Sequence, residues 1–187
     1  MKRRLCFLDI DGVVNTLMIY KHPAKSKNGS RERDGYYFDL CWPEDKRVSN
    51  EQAIVWLDKL CHDYKLDIVI TSTWMIGHSL KEVSTCLYNS GLSEDIKIID
   101  YTSQNYSCTR GWNIEAWLNK NKLKVSDVAM VIIDDDSDMT AMTIDFTPSY
   151  LAQCKTHVGF SNYEYAKACE ILDRQLEVKS LLKGVVL

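Results

Sequence analysis

A chain of 187 residues fits one domain with room for a small insertion, and can withdraw roughly 70% of its unfolded surface from water. Its 45% hydrophobic and 26% charged residues are ordinary for a globular protein, and a net charge of −3 excludes a global basic field that would advertise nucleic acid. Seven cysteines, an odd number with no Cys-x-x-Cys spacing, argue against a disulfide framework or zinc knuckle and point to reduced thiols in a cytoplasm.

The opening Met1-Lys2-Arg3-Arg4 followed by apolar residues has the outline of a signal peptide. That run is cut by Asp9 and Asp11, and no cleavage site follows. Leu5–Ile10 instead reads as a buried strand ending in a turn at Gly12. Residues 15–48 form an insertion, polar from Lys21 to Gly35, with Tyr36, Tyr37, Phe38 and Trp42 able to fold back. A helix is expected from Ser49, where Ser49 and Gln52 have capping-box spacing and Ile54, Leu57, Cys61 and Tyr64 recur at helical period.

Leu66–Ile70 is a second strand, ending at Thr71-Ser72-Thr73. Ser79–Asn89 is a second helix, stopped by Gly91, and Ile96–Ile99 a third strand. After the polar stretch Asp100–Thr109 a helix covers Trp112–Asn119. Val128–Ile133 is a fourth strand that runs into Asp134-Asp135-Asp136. Ser161 and Glu164 repeat the capping-box spacing before a long final helix. No stretch approaches about 18 apolar residues, so no membrane span is expected. This alternation predicts an α/β fold: a doubly wound, Rossmann-like, mainly parallel sheet with helices on both faces, as one domain over 1–187.

In such sheets ligands bind beyond the carboxyl ends of the strands. The polar residues expected there are Asp9, Asp11, Thr71 and the acids from Asp134 onward. Buried carboxylates of like charge oppose one another's ionisation, so gathering them makes sense around a cation. Hard oxygen donors favour Mg2+, and the four histidines are too scattered to compete.

The segment Phe7-Leu8-Asp9-Ile10-Asp11-Gly12-Val13-Val14 resembles the first motif of the haloacid dehalogenase-like (HAD) superfamily, Asp-x-Asp-Gly-[Val/Thr]. Ile68-Val69-Ile70-Thr71 resembles the second motif, Thr109-Arg110-Gly111 the third, and Val131-Ile132-Ile133-Asp134-Asp135 the fourth. The Thr71-Ser72-Thr73-Trp74 stretch and the Asp-rich run look closest to the small HAD domains of "Swiss army knife" RNA-repair proteins.

The resemblance implies a Mg2+-dependent phosphomonoesterase. Asp9 would be the nucleophile and a metal ligand. Asp11 would be the general acid and then base, its carbonyl a further ligand. Thr71 and Ser72 would hold phosphate, and Arg110 would neutralise charge on the transferring group. Asp135, or Asp134 in its place, would complete the metal site. Arg110 stands where lysine is usual; it can fork onto phosphate, with Lys120 left open as the alternative. Thr71 could instead cap the strand, leaving Ser72 or Thr73 to touch phosphate.

Basic and aromatic residues of the insertion, Lys21, Lys25, Lys27, Arg31 and Arg33 among them, suit a nucleic-acid end or nucleotide, although charged loops are usually just solvated. Trp56, Trp112 and Trp117 are expected in the core; Trp74 could line the site. Two rival readings remain at this level: a phosphoacceptor receiver domain, and a catalytically silent phosphate- or RNA-binding module.

Overall fold

The computed structural model describes residues 2–16, 48, 50–103 and 108–183, with backbone alone at 32–33, 36–37 and 177–183. In chain order the strands are β1 (Arg3–Leu8), β2 (Glu32–Arg33), β3 (Tyr36–Tyr37), β4 (Asp67–Ile70), β5 (Ile98–Tyr101), β6 (Val128–Asp134) and β7 (Leu151–Gln153). The helices are α1 (Glu51–Tyr64), α2 (Leu80–Asn89), α3 (Arg110–Lys120) and α4 (Asn162–Lys183). Five strands form one parallel sheet in the order β5-β4-β1-β6-β7, and β2 and β3 pair as a short antiparallel ribbon. The remainder of the 15–48 insertion between residues 17 and 47, with its basic and aromatic residues, lies outside the described residues.

Strand parity divides the core. Cys6 and Leu8 of β1, with Ile68, Ile70, Val131 and Ile133, face the cluster built by α1, α2 and α4. Leu5 and Phe7, with Val69, Met130 and Ile132, face Ile114, Trp117 and Leu118 of α3. The helices therefore cover both faces, as the alternating pattern predicts. The chain steps outward from β1 to β4 and β5, then returns through α3 to β6 on the other side of β1. The order reverses between β1 and β6, which is where open α/β sheets bind ligands.

Several boundaries differ from expectation for local reasons. The first helix is capped by Asn50, whose side chain accepts from Ala53 N at 3.1 Å; Ser49 lies outside the described residues. Asparagine caps as well as serine, and Asn50 Nδ2 also donates to the Val158 carbonyl at 3.0 Å. β5 begins two residues later than expected and includes Asp100, whose carboxylate accepts from Trp117 Nε1 at 2.8 Å. That bond satisfies a charge that would otherwise oppose strand burial. The hydroxyl of Thr109 caps α3 through Trp112 N at 3.2 Å, so the helix starts at Arg110. Trp117 is buried edge-on against Phe7, but Trp112 is 39% exposed and is not a core residue. β7, only three residues long, was too short to show a period, and it is absent from the expected elements. At α4 the expected pairing forms, with Ser161 N and Oγ both donating to the Glu164 carboxylate, and α2 carries a full capping box, Ser79 with Glu82, that was not among the expected features.

Candidate active site

Register alone levels the site. Leu8 pairs with Ile70 on one side and with Ile133 on the other, so Asp9, Thr71 and Asp134 are each the next residue up on three adjacent strands. Neighbouring strands run about 4.8 Å apart, so carboxylates at one level meet. Asp9, Asp134 and Asp135 each offer an oxygen lying within 4.8 Å of the others. Parity turns Asp9 and Asp134 toward the α3 face, since Leu8 and Ile133 face the opposite cluster.

Arg110, the first residue of α3, enters from that face. Its Nη2 lies 3.5 Å from Asp9 Oδ2, its Nε 3.1 Å from Asp134 Oδ2, and its Nη1 donates to the Thr71 carbonyl. The approach of α3 requires Gly111, where a Cβ would overlap the Met139 carbonyl. The buried carboxylate of Glu115, one turn on, accepts from Met142 N at 2.9 Å, Thr143 N at 3.1 Å and the Thr143 hydroxyl, tying the 139–143 segment to the same helix. Lys120 sits exposed in the last turn of α3, a helix length of about 15 Å from the site.

Asp11 is held differently. The chain turns at Gly12, in the left-handed region at φ +75°, where a Cβ would also overlap the Asp135 carboxylate. Glycine is needed there on both counts. The turn brings Asn15 back beside Asp11, and Asn15 Nδ2 donates to Asp11 Oδ1 at 2.8 Å. Trp74 Nε1 donates to Asp11 Oδ2 at 3.0 Å from a short 3₁₀ turn, Thr73–Met75, that follows β4. Asp11 therefore lies beside the three-carboxylate cluster with its side chain outside it.

Burial raises the Asp9 pKa to about 6, opposed by the Arg110 charge and by hydrogen bonds from Ile10 N and the Ser72 hydroxyl. Burial also raises Asp11, against the two bonds from Asn15 and Trp74. Asp134 is pushed well above the usual carboxylate range, first by burial and then by Asp9. Its Oδ1 accepts from Asp136 N at 2.9 Å, but Oδ2 makes no aligned hydrogen bond although Arg110 Nε stands 3.1 Å away. A fully buried carboxylate oxygen in that state suits a cation ligand. Asp135 Oδ2 accepts from Thr156 Oγ1 at 2.7 Å, which orients it toward the cluster. Three carboxylates, with no nitrogen or sulfur donor grouped with them among the described residues, fit Mg2+ better than a soft metal.

Asp9, Asp11, Thr71, Asp134 and Asp135 thus meet at the strand ends, while Asp136 and Asp138 are exposed and outside the carboxylate cluster. Thr71 is fully buried, and its hydroxyl accepts from Thr102 Oγ1 at 3.1 Å. Ser72 is the hydroxyl that reaches Asp9. Asn15 and Thr156 were not among the expected residues: neither type is distinctive, and Asn15 is placed by the Gly12 turn while Thr156 reaches Asp135 from 21 residues away. A separate cavity of 310 Å3, lined by His62, Lys65, Asp67 and Lys97 among others, opens at the amino end of β4 and is not part of this site.

A parallel sheet with acidic groups gathered at its switch point defines a HAD-like α/β domain. The chain belongs to the family of HAD domains in Swiss Army Knife RNA repair proteins, which matches residues 5–165. That places it with the HAD-type hydrolases in general. No curated protein sequence matches the chain.

Proposed function

We propose that the protein is a Mg2+-dependent phosphomonoesterase that works through an aspartyl-phosphate on Asp9 and acts on phosphorylated nucleic-acid ends or nucleotides in a reducing compartment. The observation that carries this reading is the convergence of Asp9, Asp134 and Asp135 within 4.8 Å, with Arg110 against them. The substrate class draws support from the family, whose members occur in RNA repair proteins.

Asp9, Asp134 and Asp135, with the Asp11 carbonyl, would hold Mg2+. When bound, the ion offsets the charge of the carboxylates and phosphate together and keeps Asp9 ionised. An Asp9 carboxylate oxygen attacks phosphorus and the bond to the leaving oxygen breaks. Asp11 gives that oxygen its proton. Arg110 and the Ser72 hydroxyl stabilise charge on the transferring group, and Thr71 fixes the backbone that holds them. In the second half Asp11, now ionised, takes a proton from water; water attacks phosphorus, the Asp9–phosphorus bond breaks and inorganic phosphate leaves.

The receiver reading fits less well. A receiver's acceptor aspartate follows the third strand of its sheet, which here is β5. β5 ends at Tyr101, and Asp100 within it is engaged by Trp117. A silent binding module would not need a paired acid at Asp11.

The test is hydrolysis of p-nitrophenyl phosphate and of 3′- and 5′-phosphorylated oligonucleotides with Mg2+, with chelator as control. Activity should disappear with chelator and in Asp9→Asn, while circular dichroism of the variant stays that of the parent. Acid-quenched parent protein should retain labelled phosphate. Turnover by Asp9→Asn equal to the parent would end the assignment.

A further inference from the structure

We infer that Asn15 and Trp74 are positioning residues that clamp the carboxyl of Asp11 from both sides and aim it at the leaving oxygen. The inference rests on the phosphomonoesterase reading above and goes beyond it. It adds a reason why Asp11, rather than any neighbouring acid, would serve as the proton donor.

Both oxygens of Asp11 are engaged, Oδ1 by Asn15 Nδ2 at 2.8 Å and Oδ2 by Trp74 Nε1 at 3.0 Å. The two donors approach from separate elements. Asn15 is fixed by its own backbone: its N–H donates to the Ile10 carbonyl at 2.8 Å, and its carbonyl accepts from Gly12 N at 2.8 Å. Trp74 is fixed by packing, with its ring in the core cluster beside α1 and α2 and only 6% exposed. Its indole N–H is a donor only and holds its proton at every working pH. An indole embedded in this way cannot swing aside, so the carboxyl plane is set by the core of the domain.

Each Asp11 oxygen has a second lone pair that these donors leave free, so the proton can be carried without breaking either bond. The contrast with Asp9 is chemical. Asp9 lies among Asp134, Asp135 and Arg110, where a cation holds a nucleophile. Asp11 is held by two neutral amide or indole donors, an arrangement that fixes direction without adding charge. One tetrapeptide, Thr71–Trp74, links the two roles: Ser72 touches Asp9 while Trp74 touches Asp11. The crossing from one carboxyl to the next is thus made by the segment that follows β4.

Loss of aim should appear only where protonation of the leaving oxygen limits the rate. An alkyl phosphate such as a 3′-nucleotide needs that proton, whereas 2,4-dinitrophenolate leaves without it. The experiment measures kcat/KM for both esters with Mg2+ in the parent, Trp74→Phe and Asn15→Ala. Because kcat/KM reports the steps through phosphorylation of Asp9, the later hydrolysis does not blur it. For each variant the ratio of alkyl to dinitrophenyl kcat/KM should fall by about tenfold or more, part of the 10²–10⁴ that a placed acid supplies. Asn15→Ala keeps the test open should Trp74→Phe fail to fold. Equal losses on both esters, or no loss on either, overturn the inference while leaving the proposed function standing. A parent chain that hydrolyses neither ester overturns the proposed function, and this inference with it.

Discussion

At Asp9 the fold works against itself in the absence of metal. Its pKa rises from 3.8 to about 6 because burial penalises the charge, and Arg110 only partly offsets that penalty. A carboxylate raised on folding favours the native state below its unfolded pKa, and that advantage is lost as pH rises through the folded value. Metal-free protein should therefore gain stability from Asp9→Asn, by on the order of 1–3 kcal/mol at pH 7. The gain should vanish near pH 4 and grow between pH 4 and 6. Paired thermal melts of parent and variant in chelator, across that range, check this; a gain that is flat with pH would place its origin elsewhere. Gly12→Ala should act in the opposite sense. It forces a side chain into φ +75° and into the Asp135 carboxylate, so about 2 kcal/mol of stability should go, together with most of the Mg2+ response. Melts with and without Mg2+ measure both effects. These residues were legible in sequence because Asp9, Asp11 and Gly12 fall within four positions at the end of an apolar run. Trp74 was legible only as a possible wall of the site, since nothing in its spacing shows that its indole N–H meets Asp11.

Among the elements, the strands that carry the site were readable from apolar runs ending in polar residues: β1, β4 and β6 all end that way. What the pattern could not show was register, and register is what levels Asp9 with Asp134. It also could not find β7, three residues whose place beside β6 depends on backbone pairing rather than on a hydrophobic period. The N-terminus of α3 was read two residues late because Arg110 and Gly111 break the apolar pattern. They do so to reach Asp9 and to let the helix approach Met139. The same helix yields an element-scale expectation. Glu115 accepts three hydrogen bonds from the 142–143 backbone and the Thr143 hydroxyl, so Glu115→Ala removes the side-chain acceptor that ties this segment to α3. The cost should be about 2 kcal/mol in a urea melt. Because α3 carries Arg110, kcat should fall as well, with KM for a small ester little changed. Full stability and activity in that variant would mean that the segment does not brace α3.

Across the whole molecule, the sheet, the switch point and the three carboxylates form one design in which the native state stores unfavourable charge at the crevice. Burial raises both Asp9 and Asp134, the Asp9 charge raises Asp134 further, and one buried Asp134 oxygen has no aligned hydrogen bond. A cation that binds this arrangement and not the unfolded chain must stabilise the fold by RT ln(1 + [L]/Kd), about 2.7 kcal/mol at a hundredfold excess over Kd. For a domain of this length that corresponds to a rise in Tm of roughly 5–10 °C. The rise should be seen with Mg2+, be reversed by chelator and be absent with an equal ionic strength of NaCl, since screening alone reaches buried pairs poorly. Asp135→Asn should blunt it by removing one ligand while leaving the Asp9–Arg110–Asp134 contacts in place. Asp136→Asn, an exposed neighbour outside the cluster, should leave the shift intact. Identical Mg2+ shifts in all three proteins would mean that the ion binds somewhere other than the converged strand ends.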